Sequence, residues 1–390
     1  CPSQSISTNF IDYNIMDVEL VDRLDSKMKL IDLILTMTYE AKVNMSDAFT
    51  SVKYWDVLIY NHLLRQKIVI PTKPRSESKG EKYVGAYVKD PQVGQHKWVM
   101  SFDLNSLYPH LIMQYNISPE MLLPQTMPYN DNTIDEMLSK QIDLSMLPAA
   151  QVARTPNGAL FRTKKQGFLP KMMQEMYNDR TIYKKKMLIA QQQYEDTKDP
   201  KYLNDVSRYQ NIQMARKISL NSAYGAIGNE WFRYYDLKIA EGITTSGQLS
   251  IRWIEKALNG YLNKLLKSKE VDYVIASDTD SVYIRFDELV NKVLTKRDAE
   301  SEDSYRLRVV DFLDKIAKEK IEPFIDNSYQ DLASYVNAFE QKMEMGREAI
   351  ADKGIWTAKK RYILNVWDME GVRYQEPKLK IMGVVVPVSF

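Results

Sequence analysis

Three carboxylates stand where chemistry could be concentrated. Asp103 closes a short apolar, β-prone segment, Lys97-Trp98-Val99-Met100-Ser101-Phe102-Asp103, while Asp278 and Asp280 flank Thr279 between two apolar runs at residues 273–277 and 281–286. Those runs read as the strands of a tight hairpin with an acidic tip. An aspartate in a turn ordinarily does no more than cap nearby N–H groups. Two of them between strands that would bury the tip differ, because clustered negative charge is costly to desolvate unless a cation neutralises it. A third carboxylate at the end of another strand would complete a pair of divalent-metal sites. Oxygen ligands of this kind suit Mg²⁺, which keeps some waters and borrows further ligands from phosphates. Two such ions stabilise both the attacking and the leaving oxygens of a phosphoryl transfer.

A second group is cationic. Lys217, Asn221 and Tyr224 stand at i, i+4 and i+7 on a helical segment, so they share one face, and Arg180 and Lys184 are i, i+4 on the segment before it. The polar break at residues 195–201 is short enough to fold the two segments, 170–194 and 201–226, into an antiparallel hairpin. Pairing of this kind can bring Arg180, Lys184 and Lys217 to one cleft. Three cations around a shared space favour a polyanion such as a triphosphate, which arginine can bind in a fork. On composition alone, Lys184-Lys185-Lys186 and Arg216-Lys217 are ordinary solvated helix faces.

The elements that must hold these groups follow from periodicity. Residues 18–37 repeat at helical spacing through Val21, Leu24, Met28, Ile31 and Leu35, and a second helix is expected at 52–66. Residues 71–80 are rich in Pro, Ser, Lys and Gly and read as a linker. Residues 119–163 show no clean period and read as irregular. Helix is expected at 237–266 and across 303–335, and two further strands, 342–349 and 355–368, joined by an Asp352-Lys353-Gly354 turn. The fold class is therefore α+β, an antiparallel sheet carrying inserted helices.

The 390 residues are enough for two or three domains. Hydrophobic residues make up 44% and charged residues 27%, which excludes disordered and fibrous classes. Lys plus Arg total 53 against 51 for Asp plus Glu, so a case for nucleic acid must come from local clusters. A single cysteine, Cys1, excludes an internal disulfide and fits a reducing, cytoplasmic setting. No apolar run approaches the roughly 20 residues that span a bilayer, so no membrane partner is expected. The chain opens without Met, and Val384-Val385-Val386-Pro387 is an apolar run that stops without a cap. Both ends read as cuts within a longer protein.

Several stretches carry a family resemblance. Asp103-Leu104-Asn105-Ser106-Leu107-Tyr108-Pro109 resembles the DxxSLYP motif of family B DNA polymerases, and Asp278-Thr279-Asp280-Ser281 resembles that family's DTDS motif. Lys217-Ile218-Ser219-Leu220-Asn221-Ser222-Ala223-Tyr224-Gly225 is similar to its KxxxNSxYG motif. The run from Tyr224 through Asn229-Glu230-Trp231-Phe232-Arg233-Tyr234-Tyr235-Asp236, with Pro377-Lys378-Leu379-Lys380-Ile381-Met382-Gly383, is similar to T-even-type phage replicative members. The resemblance implies a polymerase palm with an antiparallel sheet and an inserted fingers hairpin. It implies two Mg²⁺ ions held by Asp103, Asp280 and the Leu104 carbonyl, with Asp278 close by. It further implies dNTP binding by Ser106, Leu107, Tyr108, Arg180, Lys184, Lys217, Asn221 and Tyr224, with Tyr108 under the sugar, Tyr224 beside the forming base pair and Lys217 able to protonate pyrophosphate.

Primer–template contacts are implied at Gly85 and Ala86, at Gly225 (where an ordinary helix C-cap would look the same), and at Lys360 and Tyr362 of Lys359-Lys360-Arg361-Tyr362. Glu348 matches an acidic residue near the active site. Tyr13 and Asp17 resemble the third motif of the family's 3′→5′ exonuclease domain, whose other carboxylates are absent from this sequence. The implied division is an exonuclease remnant at 1–29, a linking segment at 30–73, palm at 74–166 and 230–383, fingers at 167–229, and a stub at 384–390 before a thumb. Proofreading is not expected from this chain alone; a sliding clamp is a candidate partner, although the family's usual clamp-binding tail is absent from this sequence. An alternative is a DNA-binding subunit of a split polymerase that needs separate exonuclease and thumb chains; a nuclease built on Asp17 is the weakest reading. A viral member would act in the cytoplasm of an infected bacterium.

Overall fold

The computed structural model describes residues 2–73, 83–298 and 300–384. The expected linker from residue 74 onward, the apolar run at 385–387 and Cys1 lie outside the described residues. In chain order the elements are α1 (Pro2–Met28), α2 (Leu30–Ala41), α3 (Ser51–Arg65), β1 (Gly94–Leu104), α4 (Leu107–Gln114), β2 (Leu122–Thr126), α5 (Thr133–Leu138) and α6 (Leu147–Ala150). There follow β3 (Val152–Arg154), β4 (Ala159–Arg162), α7 (Phe168–Thr197), α8 (Lys201–Ile227), α9 (Leu237–Leu266), β5 (Val274–Asp278), β6 (Ser281–Arg285) and α10 (Asp287–Val293). The last are α11 (Glu302–Ile316), α12 (Glu322–Tyr335), β7 (Met345–Ala358), β8 (Arg361–Met369) and β9 (Val372–Met382). They form two compact units, residues 1–79 with 172–235 and residues 80–171 with 236–390.

In the first unit α8 packs on α2 and α3. Small and apolar residues make its inner face: Ala215, Ser219, Leu220, Ala223, Ala226 and Ile227 are buried. Two aromatic residues of α3 fasten it. The hydroxyls of Tyr54 and Ser219 are 2.6 Å apart, and the Trp55 indole N–H donates to the Ser219 carbonyl and the Ser222 hydroxyl, each at 3.1 Å. The helix expected without a break over 18–37 is interrupted. Lys29 adopts a left-handed conformation (φ 53°), and the Asp25 carboxylate accepts from the Ile31 N–H at 3.0 Å at the start of α2. Apolar period alone does not register such a local cap.

The second unit is built on a six-stranded antiparallel sheet in the order β5-β6-β1-β7-β8-β9. Alternation along β1 sends Met100, Phe102 and Leu104 to one face and Val99, Ser101 and Asp103 to the other. Val99 joins a core of Tyr283, Ala349, Trp356, Tyr362 and Leu364. Helices α9, α11 and α12 pack on the sheet's strands. A smaller sheet, β2-β4-β3, forms with α5 and α6 inside the stretch that was expected to be irregular. Strands of three to five residues are too short for a period to emerge from sequence.

The Asp352-Lys353-Gly354 turn does not exist: these residues lie inside β7. Gly354 is needed there for space, since a Cβ would fall 2.6 Å from the Trp356 ring and 2.7 Å from Leu364. Asp352 is buried and accepts from the Asn365 amide at 2.7 Å. The reversal comes at Lys359-Lys360, with Lys360 at φ 60°. Lys360 is thus a hairpin-tip residue, not a strand residue.

Candidate active site

The sheet of the second unit brings the distant aspartates together. Asp103 stands opposite Ser281 in the β1–β6 register, and the Leu104 N–H donates to the Asp280 carbonyl at 2.8 Å. On its other side Asp103 faces Gly346 of β7, where no atom lies within 4 Å of a would-be Cβ. Neither neighbour fills the space above the carboxylate. At the hairpin tip Thr279 takes φ 59°, and its N–H donates to the Tyr87 carbonyl at 3.0 Å. That contact, with a bridge between Val88 and Asp278, carries the segment containing Gly85 and Ala86 to the edge of β5. Both small residues are exposed, and the Gly85 carbonyl accepts from the Gln248 amide at 2.5 Å.

The electrostatics record crowding. Burial, then the charges of Asp280 and Glu348, push the Asp103 carboxyl up to about 7, while Lys380 pulls it down. Asp280 is raised mainly by burial and also by Asp278 and Glu348, partly offset by its backbone hydrogen bond and Lys360. Glu348 on β7 accepts from the Ser101 hydroxyl at 2.9 Å and from Lys380 of β9 at 2.6 Å. Asp278 is held by Lys360 at 2.8 Å. The sequence places Lys360 at the primer–template and gives Lys380 no role; each lysine reaches its carboxylate from a hairpin or strand distant in the chain.

The donors are all oxygens, and two half-buried carboxylates that repel one another gain from a cation, so the pair suits Mg²⁺. Among the described residues no three carboxylate, imidazole or thiolate groups converge closely enough to enclose a metal ion by themselves. Asp278 is tied to Lys360 by a 2.8 Å ion pair.

Around the pair, Ser106 takes φ 47° immediately before α4, and Leu107 is buried. Tyr108 is half-buried beside Gly247 of α9, where a Cβ would lie 3.5 Å from its ring; burial and the Asp280 charge raise its hydroxyl's pKa. Tyr362 lies inside the core, stacked on Trp356 at 5.4 Å, with its hydroxyl 2.7 Å from that of Tyr283. Of the Lys360–Tyr362 pair, only Lys360 reaches the surface.

In the first unit α7 and α8 run antiparallel. Arg216 binds Asp179 at 3.3 Å, and the rings of Tyr183 and Tyr209 meet at 6.2 Å. On two antiparallel right-handed helices, the residues following a facing pair both turn to the same side, about 100° on. Arg180 and Lys217 follow Asp179 and Arg216, so both turn to the same side of the hairpin. Lys184, Lys217 and Asn221 are exposed, Arg180 and Tyr224 half-buried, and burial lowers the Arg180 pKa. Gly225 is exposed within α8, two residues before the helix ends at Ile227, so the C-cap explanation of this glycine falls away. Tyr13 and Asp17 are exposed, one turn apart on α1.

The sequence signature described as DNA polymerase family B matches residues 50–299. The chain belongs to DNA polymerase family B. It is 38% identical to the DNA-directed DNA polymerase of Escherichia phage RB69, over 98% of this chain and 46% of that one. To the DNA-directed DNA polymerase of Enterobacteria phage T4 it is 36% identical, over 96% of this chain and 46% of that one. DNA polymerase 1 of Aeropyrum pernix is a more distant relative, at 28% identity over 73% of this chain. This family B chain is thus T-even-like, and it spans about half the length of the curated relatives it matches. Among its described residues no helix is long and apolar enough to cross a membrane.

Proposed function

We propose that this chain carries the nucleotidyl-transfer centre of a template-directed DNA polymerase, extending a primer paired to a template with deoxynucleotides from dNTPs. The supporting observation is that β1 and β6 set Asp103 beside Asp280, crowded enough to hold Asp103 at about 7. In this reading Asp103, Asp280 and the Leu104 carbonyl hold two Mg²⁺ ions, with Asp278 beside them. The ions, when bound, supply charge stabilisation for an in-line phosphoryl transfer. The primer 3′-hydroxyl gives its proton to solvent, its oxygen bonds to the α-phosphorus, the bond from that phosphorus to the bridging oxygen of the β-phosphate breaks, and the electron pair leaves with pyrophosphate. Arg180, Lys184 and Lys217 bind the triphosphate and offset charge on the leaving group, and Lys217 gives pyrophosphate its proton.

Ser106, Leu107 and Tyr108 form the floor of the nucleotide site, with Tyr108 excluding a 2′-hydroxyl, and Asn221 and Tyr224 lie beside the new base pair. Gly85, Ala86, Gly225 and Lys360 contact primer–template, and Tyr362 supports the Lys360 hairpin from within. Phosphate contacts of this kind position the duplex without reading its sequence. Asp280→Ala tests the reading: primer extension should be abolished at a thermal midpoint no lower than that of wild type. Wild-type extension by that variant refutes it.

A second reading has the chain working with a further folded body, on the same or a separate polypeptide. One observation favours it: Phe10, Val18, Val21, Leu24 and Met28 of α1 are all more than half exposed, an apolar surface that single helices of stable domains seldom leave bare. Primer extension by the chain alone, compared with extension after adding candidate companion chains, separates the two.

A further inference from the structure

We infer that Arg216 is a positioning residue for nucleotide binding: by gripping Asp179 on α7 and Glu40 on α2 together, it sets the register that keeps Arg180 and Lys217 on one side of the hairpin. The inference rests on the reading of those two cations as triphosphate ligands. Arg216 itself points away from their side. One guanidinium nitrogen lies 3.2 Å from Glu40, and another lies 3.3 Å from Asp179. The contact to Asp179 is a hydrogen bond and that to Glu40 an ion contact, and a planar fork can approach carboxylates on two helices at once, which a lysine ammonium on a flexible stem does less well.

Apolar packing acts beside these ion pairs, since Met172 and Met176 of α7 and Leu220 of α8 are buried. On the inner face of α8 near this level Gln213, Ala215 and Ser219 are small or polar, and Leu220 is apolar. Next to Arg216 the first unit has a half-open pocket of about 290 Å³, lined by Asn61, His62 and Glu175 and by Leu58, Met172 and Met176. Toward the tip, the Tyr183–Tyr209 contact is tilted, with Lys186 over both rings at 5.3 and 5.9 Å. Contacts of that kind tolerate sliding. A slip of one helical turn moves a residue about 5.4 Å along the axis, and a one-residue rotation swings it about 100°. Either would separate Arg180 from Lys217 while leaving each helix intact. The ion pairs at Arg216 oppose both.

The test uses the full chain with a Cys1→Ser background, primer extension at varied dNTP, and spin labels at Leu188→Cys and Leu203→Cys, both exposed sites near the hairpin tip. Asp179→Asn removes only the half-exposed α7 partner, and the double variant Glu40→Gln with Arg216→Met removes the grip without leaving a buried unpaired carboxylate. Both should raise KM for dNTP about fivefold or more while kcat stays within about threefold, and both should broaden the label–label distance distribution. Arg216→Lys should fall between these variants and wild type. Lys217→Ala and Arg180→Ala are run alongside. If neither raises KM, the triphosphate reading fails, and this inference with it. If they do, but Asp179→Asn and the double variant leave KM unchanged, the inference alone is overturned, whether or not their thermal midpoints fall.

Discussion

Replacing Asp103 with asparagine in the metal-free chain measures how strongly the carboxylates at the end of β1 are crowded. Burial, and behind it Asp280 and Glu348, hold the Asp103 carboxyl at about 7, against 3.8 in an unfolded chain. Between those values the folded state keeps a proton that the unfolded state has released. Stability conferred by that proton is complete below about pH 3.8, falls as pH rises through the window, and is gone above about pH 7. The window is roughly three pH units wide at about 1.4 kcal/mol each, a ceiling of about 4 kcal/mol. Asp103 is partly solvated, which reduces the expected loss to about 2 kcal/mol. Asparagine carries no charge to penalise. The midpoint difference between Asp103→Asn and wild type should therefore grow by about 4–8 °C between pH 4 and pH 8 in chelator, for a unit of this size. Taking the difference cancels every other titrating group that the substitution leaves alone. Added Mg²⁺ should raise the wild-type midpoint at pH 8 and move that of the variant less. A difference that is the same at both pH values would refute the crowding.

Two further substitutions test the scaffold. Arg347→Met removes one partner of Asp368 and of Asp314, held at 2.6 and 2.9 Å, while Arg373 and Lys318 remain, so unfolding by denaturant should show a loss of about 1–3 kcal/mol. Gly354→Ala forces a methyl against Trp356 and Leu364 and should cost about 1–3 kcal/mol in the same assay. A loss under 0.5 kcal/mol in either case contradicts the packing described.

Much of this arrangement could be read from the sequence where one signal dominated. Helix α9 runs from Leu237 to Leu266, as its apolar period implies, and the acidic hairpin tip lies between β5 and β6 as expected. Strand-end carboxylates were legible because a charged residue after an apolar run has few places to go. Errors came where tertiary contacts used residues that resemble local signals. Asp352 and Gly354 look like a turn, yet one makes buried polar contacts and the other makes room for an indole, while the actual turn, Lys359-Lys360, carries none of the usual turn residues. The lysine partners of Glu348 and Asp278 were illegible for a related reason. Lys380 reaches β7 from β9 across an intervening strand, and no spacing in the chain encodes that.

The most direct measurement is binding of Mn²⁺, as a paramagnetic stand-in for Mg²⁺, followed by electron paramagnetic resonance in the presence of a dNTP. Wild type, Asp103→Asn and Asp280→Asn are compared at matched folding. If the two aspartates share metal ions, each substitution alone should remove most of the bound signal, and the pair together should remove little more. Two single variants that both bind Mn²⁺ as wild type does would contradict the account.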